Sequence, residues 1–177
     1  MLRPRTSAFV GISLDGFLAR RDGSIDWLEA FAGVEHGYTA FFESIDSLVI
    51  GRGTYDFVLG MPVWPYPGKR CVVMTHRDLD GDGRSRVRAF AGEPGALLDE
   101  LSAEGARHVY IDGGVVIRSF LAAGLLDELT VSIVPCLIGD GLPLFGGVKL
   151  ESGLTLEHAT PYPNGLVQMR YRLRDSR

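Results

Sequence analysis

Two apolar segments of this sequence each end in closely spaced glycines and lead directly into a helical pattern. They are Leu48–Tyr55 (LVIGRGTY) and Tyr110–Val116 (YIDGGVV). Glycine at the end of a strand allows positive φ and a close approach of the backbone to a ligand. The helix start that follows offers unpaired N–H groups and a partial positive charge. Two such units predict an α/β sheet that binds its ligand at the carboxyl edge.

The rest of the chain alternates between strand and helix patterns, which favours a parallel sheet with helices on its faces. Further strands are predicted at 8–13, 70–75, 87–90 and 129–135, and further helices at 36–44, from 94 to a closing glycine at 105, and at 115–123. The last quarter predicts two strands, 154–159 and 166–173, joined through Asn164-Gly165, a strong hairpin signal. We expect a three-layer fold with a central mixed, mostly parallel sheet, helices on both faces and an antiparallel C-terminal hairpin.

Composition places the chain among ordinary globular proteins. Its 177 residues are 46% hydrophobic and 23% charged, so we expect one domain, 1–177, with a core that needs no metal or disulfide. The formal net charge of −4 gives no support for a nucleic-acid partner. We interpret the C-terminal arginines as a solvated strand face, with bound phosphate as the alternative. They are Arg170, Arg172, Arg174 and Arg177.

The sequence also predicts where the protein resides. No apolar run approaches the ~20 residues that span a membrane, and the N-terminus lacks the apolar stretch of a signal peptide. The two cysteines, Cys71 and Cys136, lie in apolar runs and favour a reducing compartment over a disulfide framework. We therefore expect a cytoplasmic protein with no membrane contact.

The glycine-marked helix starts follow strands that we expect to be neighbours. A diphosphate that bridges both helix N-termini is the preferred interpretation, and plain tight turns are the alternative. Thr54 can cap its helix or bind a phosphate oxygen, and Arg52 places a fixed charge beside it. A third candidate segment, Thr75-His76-Arg77, follows another apolar strand. A hydroxyl beside a guanidinium suits a phosphate monoester such as the 2′-phosphate of NADPH, with an ordinary charged loop as the alternative.

Five motifs occur in order along nearly the whole chain. They are 13–19 (SLDGFLA), 50–55 (IGRGTY), 111–114 (IDGG), 120–129 (FLAAGLLDEL) and 135–145 (PCLIGDGLPLF). Together they resemble the dihydrofolate reductase-like superfamily. The closest similarity is to the reductase domain that forms the C-terminal half of the bifunctional riboflavin-biosynthesis deaminase-reductase, and to its stand-alone bacterial relatives.

The resemblance implies hydride transfer from NADPH, with residues in assigned roles. The diphosphate would be held by two sets of residues: Gly51, Arg52, Gly53 and Thr54, and Asp112, Gly113, Gly114, Val115 and Val116. The 2′-phosphate and adenosine would meet Thr75, His76 and Arg77. The loop with Asp15, Gly16 and Trp27 resembles the one that closes over the nicotinamide. We expect substrate contacts from Gly16, Trp27 and Tyr55, and Asp15 is the candidate acid.

The sequence leaves several substrate classes open. Dihydrofolate reductases carry a buried carboxylate soon after the loop tryptophan, where this chain has Ala32. Riboflavin-pathway reductases have an Asp-Asp-Pro segment where this chain has only Asp56. The leading hypothesis is an NADPH-dependent reductase of a small heterocyclic or ribosyl-type substrate, of the 5-amino-6-(5-phosphoribosylamino)uracil reductase type. Dihydrofolate reductase and a non-catalytic NADPH-binding module are the alternatives.

The sequence contains no zinc-deaminase motif, and we expect no metal site. Apolar residues crowd a loop rich in glycine and proline, and that much exposed apolar surface is unusual on a monomer. These residues are Leu137, Ile138, Leu142, Leu144 and Phe145. Because the resemblance also implies pairing through the sheets, we predict a homodimer.

Overall fold

The computed structural model describes residues 3–31, 33–79, 86–147 and 153–173. The described elements, in chain order, are β1 (Arg5–Ser13), β2 (Phe17–Ala19), a 3₁₀ helix (Asp26–Phe31), α1 (Tyr38–Ser44), β3 (Ser47–Gly51), α2 (Arg52–Leu59), β4 (Arg70–Met74), β5 (Val87–Phe90), α3 (Pro94–Ala103), β6 (His108–Asp112), α4 (Gly114–Ala122), β7 (Glu128–Val134), β8 (Leu142–Pro143), β9 (Leu154–Pro161) and β10 (Val167–Leu173).

Eight of these strands form one sheet in the order β5-β4-β3-β6-β1-β7-β10-β9. The six strands from β5 to β7 pair in parallel, whereas β10 is antiparallel to both β7 and β9. The predicted mixed, mostly parallel sheet and its C-terminal hairpin are therefore confirmed. Because parallel strands run in one direction, Ser13, Gly51, Met74, Asp112 and Val134 all end strands at the same edge of the sheet.

Helices cover both faces of this sheet, as predicted. On one face, α3 and α4 contribute fully buried side chains such as Leu98, Ile117 and Phe120 to the largest core cluster. On the other face, α1 and α2 pack against Leu48 and Ile50 of β3. Each apolar side chain of this size contributes about 1.5–3 kcal/mol when it is fully buried. The two clusters hold the helices in register with the strand ends that form the ligand edge.

Strand β1 begins earlier than the predicted 8–13 segment because polar residues there are buried with partners. Thr6 is fully buried, and its hydroxyl donates to the Leu125 carbonyl at 2.6 Å and contacts the Asp127 carboxylate at 3.0 Å. A buried polar group with such bonds costs little. The hydrophobic pattern of the sequence therefore places the start of β1 three residues too late.

Two very short strands were not predicted. β2 and β8 form a separate two-stranded sheet, in which Phe17 pairs with Pro143 and Ala19 with Leu142. Segments of three and two residues are too short to show strand alternation.

The C-terminal arginines form a solvated face where the structure describes them. Arg170 and Arg172 are exposed on β10, and both pair with Glu157, at 3.3 and 3.1 Å. Their interpretation as a solvated strand face is confirmed, whereas Arg174 and Arg177 lie outside the described residues. In the described part of the chain, no helix has the length and apolar character needed to cross a bilayer.

Candidate active site

The two glycine-marked turns lie side by side at the carboxyl edge of the sheet. Strands β3 and β6 are neighbours, and Ile50 pairs with Asp112. A β-carbon on Gly113 would collide with the Thr54 hydroxyl, and Gly113 has a φ of +90°, which L side chains rarely adopt. A β-carbon on Gly51 would lie 3.2 Å from a methyl group of α4. The two helix starts therefore converge, as the sequence predicts.

Backbone donors of both helices face this edge. The first N–H groups of an α-helix have no acceptor in a preceding turn and carry a partial positive charge. Asp112 Oδ1 accepts the N–H of Gly113 at 2.8 Å, which leaves the N–H groups at 114–116 as the donors of α4. The β-carbon position of Gly53 has no neighbour within 4 Å among the described residues, so the start of α2 is open. Such a pair of helix starts suits a diphosphate.

The third predicted cofactor segment lies beside α2. Because Met74 pairs with Gly51, residues 75–77 leave the sheet next to the α2 start. The Arg77 N–H donates to the Thr75 hydroxyl at 3.1 Å, and this turn leaves His76 and Arg77 exposed. The structure thus brings all three predicted cofactor segments to one edge.

Arg52 has other partners than predicted. Its Nε donates to Asp56 at 2.7 Å, and Nη1 donates to the Asp78 carbonyl at 3.1 Å. The guanidinium therefore ties α2 to the loop after β4. This geometry gives the Arg52 side chain a structural role, which does not support the prediction that it binds the diphosphate directly.

A partly buried carboxylate stands at the end of β6, next to the glycine pair. Asp112 Oδ2 accepts the Tyr66 hydroxyl at 3.1 Å, and the nearby Tyr110 hydroxyl donates to the Phe9 carbonyl at 2.9 Å. Burial raises the pKa of Asp112. Burial and the charge of Asp112 also raise the pKa of Tyr38 to about 12. We call these four residues, Asp112, Tyr38, Tyr66 and Tyr110, the Asp112 cluster.

The sequence predicted Asp112 as a cofactor residue and missed the tyrosines around it. Tyr66 is 46 positions away from Asp112 in the chain, so no local pattern connects them. The position of Tyr110 beside Asp112 could have been predicted from the sequence, because residues two apart on a strand share a face of the sheet. The side chains of Tyr110 and Asp112 consequently point to the face covered by α1 and α2.

Aromatic rings line the sheet beside this carboxylate. The ring centroid of Tyr38 lies 5.5 Å from that of Phe9 and 6.5 Å from that of Tyr110. Phe9 also contacts Phe41, at 5.1 Å. Tyr38 stays 38% exposed, so part of this aromatic surface is open to a ligand.

Asp15 is exposed in the loop after β1. Its carboxylate accepts the N–H of Gly139 at 2.8 Å and that of Ile138 at 3.3 Å. A hydrogen bond with Ser13, followed by those from the backbone, lowers the pKa of Asp15. A carboxyl group that is ionised at neutral pH is a poor proton donor. Its surroundings therefore favour a role in tying two loops together and do not support Asp15 as the acid.

The neighbouring loop packs over the start of α4. Gly16 has a φ of +89°, and its carbonyl accepts the Leu144 N–H at 3.1 Å. The Leu18 side chain lies 2.8 Å from the β-carbon position of Gly114, and Arg118 donates to the Pro143 carbonyl at 2.6 Å. The loop that the resemblance implies as a cover for the nicotinamide thus borders the glycine pair.

The two remaining predicted substrate residues are both buried. Trp27 is buried against Val134 and Leu166, and its Nε1 has no hydrogen-bond partner among the described residues. Tyr55 is only 1% exposed and packs near Trp64. The burial of Tyr55 and of Trp27 contradicts the prediction that these side chains bind substrate, because at most 9% of either residue is exposed. The described residues contain no group of three or more His, Cys, Asp or Glu placed to hold a metal.

The sequence matches the family described as the RibD C-terminal domain over residues 61–168. It is 32% identical over 170 residues to the uncharacterized protein YwjB of Bacillus subtilis strain 168, covering 94% of this chain and 97% of YwjB. These matches confirm the family that the five motifs indicate.

Solved structures agree with this similarity. A protein from Shewanella sp. PV-4, provisionally named a riboflavin biosynthesis protein, superposes with a TM-score of 0.89 at 32% identity, covering 96% of this chain and 99% of that one. Dihydrofolate reductase from Enterococcus faecalis, solved with NADP(H) and RAB-propyl, superposes with a TM-score of 0.65 at 17% identity, covering 98% of this chain and 100% of that one. The predicted dihydrofolate reductase-like fold is confirmed.

Proposed function

This chain belongs to the RibD C-terminal domain family, and we propose that it is an NADPH-dependent reductase that transfers a hydride to a small heterocyclic substrate. The riboflavin-pathway reductase is the type we favour. The observation that carries the proposal is the convergence of the α2 and α4 N-termini at the Gly51 and Gly113 turns.

The cofactor site fits NADPH on the grounds of its own residues. Gly51, Gly53 and the backbone N–H groups at 114–116 would hold the diphosphate, and Thr54 would add its hydroxyl. Thr75, His76 and Arg77 would meet the 2′-phosphate, because exposed donors and a guanidinium suit a phosphate monoester. When bound, the nicotinamide supplies the hydride.

The protein residues would align the acceptor and limit the access of water. The loop with Gly16 and Leu18 borders Gly114 and is placed to cover the reacting end of the cofactor. On the other side of the glycine pair, the Asp112 cluster and the exposed part of Tyr38 offer a polar end and a flat surface to a planar substrate. Burial raises the pKa of Asp112, which makes it a better candidate for proton transfer than Asp15.

A binding assay followed by a turnover assay tests this proposal. NADPH fluorescence should change on binding, and NADPH should then be consumed with at least one member of a panel of pyrimidines and pterins. Consumption with a pyrimidine supports the riboflavin-pathway type, and consumption with dihydrofolate supports the first alternative. Binding without consumption across the panel supports a non-catalytic NADPH-binding module, and absence of NADPH binding rejects the proposal.

We also propose a homodimer. Leu137, Leu142 and Phe145 are exposed, which supports an interface at this loop. Two other residues of the predicted apolar group do not contribute in the same way, because Leu144 is fully buried and Ile138 is partly buried. The apolar surface is therefore smaller than the sequence indicates.

A further inference from the structure

We infer that Arg118 is a positioning residue, which holds residues 14–19, the covering loop, over the nicotinamide end of the cofactor by binding the segment that pairs with this loop. This inference rests on the proposed function and adds a residue to its site. Arg118 lies between the motifs at 111–114 and 120–129 and belongs to neither, so no sequence motif points to it.

The Arg118 side chain reaches back over the glycine pair. Arg118 lies about one helical turn after Gly114, where α4 begins. Side chains of a helix lean toward its N-terminus, and residues four apart lie on one face. Nη1 of Arg118 accordingly lies 3.0 Å from the position of a β-carbon on Gly114. The cation is therefore placed beside the proposed cofactor cradle by the helix that forms it.

The Arg118 guanidinium binds the backbone of β8 and of the residue after it. Nη1 donates to the Pro143 carbonyl at 2.6 Å and lies 3.3 Å from the Leu144 carbonyl. Hydrogen bonds from a charged donor are roughly twice as strong as those between neutral groups. The Leu144 side chain is fully buried in the largest core cluster, so it anchors this segment from below. The guanidinium fixes the backbone carbonyls above it.

The covering loop is attached to the same segment. In the two-stranded sheet β8 pairs with β2, and the Gly16 carbonyl accepts the Leu144 N–H at 3.1 Å. Leu18 of β2 lies 2.8 Å from the β-carbon position of Gly114. The contacts therefore run from Arg118 through β8 and β2 and return to the start of α4. A change at Arg118 would reach the cofactor through the loop.

The strand order indicates which end of the cofactor the loop meets. Segment 75–77 follows β4, and the helix starts at Arg52 and Gly114 follow β3 and β6. The next strand in the sheet is β1, which leads into the covering loop. With the 2′-phosphate proposed at 75–77 and the diphosphate between α2 and α4, the nicotinamide would lie on the β1 side. The covering loop is on this side.

The alternative role for Arg118 is a direct contact with the diphosphate, as the sequence predicted for Arg52. The described contacts favour the loop, because both go to carbonyls of the segment that pairs with it. The two roles predict different results for a ligand that keeps the diphosphate and lacks the nicotinamide.

Matched ligands test the role of Arg118. Calorimetry compares NADPH with 2′-phospho-ADP-ribose, which keeps the 2′-phosphate and the diphosphate and lacks the nicotinamide. Arg118→Met keeps the apolar stem of the side chain and removes the donors. We expect its affinity for NADPH to fall at least about tenfold, a difference of about 1.4 kcal/mol, and its affinity for 2′-phospho-ADP-ribose to change less than about twofold.

Further variants assign this effect to the guanidinium. Arg118→Lys keeps the charge on a slightly shorter side chain and should recover part of the NADPH affinity. Arg70→Met is the matched control, because Nη1 of Arg70 also donates to a backbone carbonyl, that of Glu104 at 3.1 Å, at the opposite edge of the sheet. It should bind both ligands as the wild type does. If Arg118→Met fails to fold, Arg118→Gln, which is too short to reach the carbonyls, takes its place.

The outcomes separate this inference from the proposed function. If the wild type binds NADPH and the loss of the guanidinium weakens both ligands alike, or neither, the positioning role is wrong and the reductase proposal stands. A general loss of packing would also weaken both ligands alike. If the wild type does not bind NADPH, the proposed function itself is rejected.

Discussion

The hydroxyl group of Thr54 occupies the space that a β-carbon on Gly113 would need. Thr54 lies in the first turn of α2, whereas Gly113 precedes α4, so this contact joins the two helix starts across neighbouring strands. The proposed diphosphate site therefore depends on two residues that are far apart in the chain. With threonine at position 54, position 113 has no room for a side chain.

Replacement of Gly113 with alanine should damage the cofactor site. The new β-carbon would collide with Thr54 and would also be strained at the φ of +90°. We expect NADPH affinity to fall at least about tenfold and the protein to lose about 1–3 kcal/mol of stability, measured by fluorescence titration and thermal unfolding. Gly124→Ala is the control, because it has a φ of +65° and no close neighbour among the described residues. A double variant with Thr54→Ala should recover part of the lost stability, because it removes the hydroxyl that the new β-carbon would meet.

Arg77 should decide the preference for the phosphorylated dinucleotide. Its side chain is exposed beside the α2 start, and hydrogen bonds to charged groups contribute about 1.5–3 kcal/mol. We expect Arg77→Gln to reduce the ratio of NADPH to NADH affinity by about tenfold or more, with little change in NADH affinity itself. Arg170→Gln, on the solvated strand face, should leave the ratio unchanged. If the affinity ratio is unchanged in Arg77→Gln, the 2′-phosphate does not bind at Arg77.

Asp112→Asn should stabilise the protein at neutral pH. Burial raises the pKa of Asp112 in the folded state, so the folded protein binds this proton more tightly than the unfolded chain does. The contribution of Asp112 to stability is present at low pH and is lost as the pH rises through the folded-state pKa. Asparagine keeps the shape of the side chain without its charge. We expect the free energy of unfolding to increase by about 1 kcal/mol, which raises the melting temperature of a domain of this size by ~2–4 °C. The exposed Asp99→Asn should have no such effect.

His108 should make stability depend on pH at mildly acidic values. Its Nε2 lies 2.8 Å from the Ser7 hydroxyl and Nδ1 lies 3.3 Å from the Ser44 carbonyl. Burial, followed by the charge of Arg5, lowers the pKa of His108 below its usual 6.5. The unfolded chain then takes up the proton first, so stability is lost as the pH falls below about 6.5. In His108→Gln, the free energy of unfolding should depend less on pH between about pH 5 and 7. The exposed His158→Gln should keep the pH dependence of the wild type.

The proposed homodimer is tested by mass. Light scattering at micromolar concentration should give twice the chain mass, because exposed apolar residues favour association. Leu137, which is 70% exposed, should be part of the interface, so Leu137→Asp should shift the mass toward the monomer. Val63 is 75% exposed on the segment after α2, and Val63→Asp should leave the dimer intact. A wild-type monomer would reject the assignment.

Much of the cofactor side of the site was predictable because its signals are local. A strand that ends at Gly51 or Gly113 and a helix that starts directly afterwards are encoded in adjacent residues. The alternation of strands and helices predicts a parallel sheet, which places both turns at the same edge. That β3 and β6 are direct neighbours in this sheet is seen only in the structure, because β4 and β5 come between them in the chain.

The substrate side was not predictable in the same way. The contact between Tyr66 and Asp112 joins positions that only tertiary packing brings together, and the burial of Tyr55 depends on how α2 rests on the sheet. Asp15 and Arg52 carry charges whose roles depend on their partners, and those partners lie in loops or on the next helical turn. Residue type alone indicates possible chemistry, whereas the partners decide which role a side chain has.

Asp112 and Gly113 are consecutive, yet one faces the proposed acceptor and the other forms the turn of the proposed cofactor cradle. A change at this junction would disturb both halves of the reaction together. Elements such as α1 and the segment around Tyr66 reach the site through side chains alone. Divergence toward new acceptors is therefore expected to accumulate in those outer elements, while the junction itself stays constant.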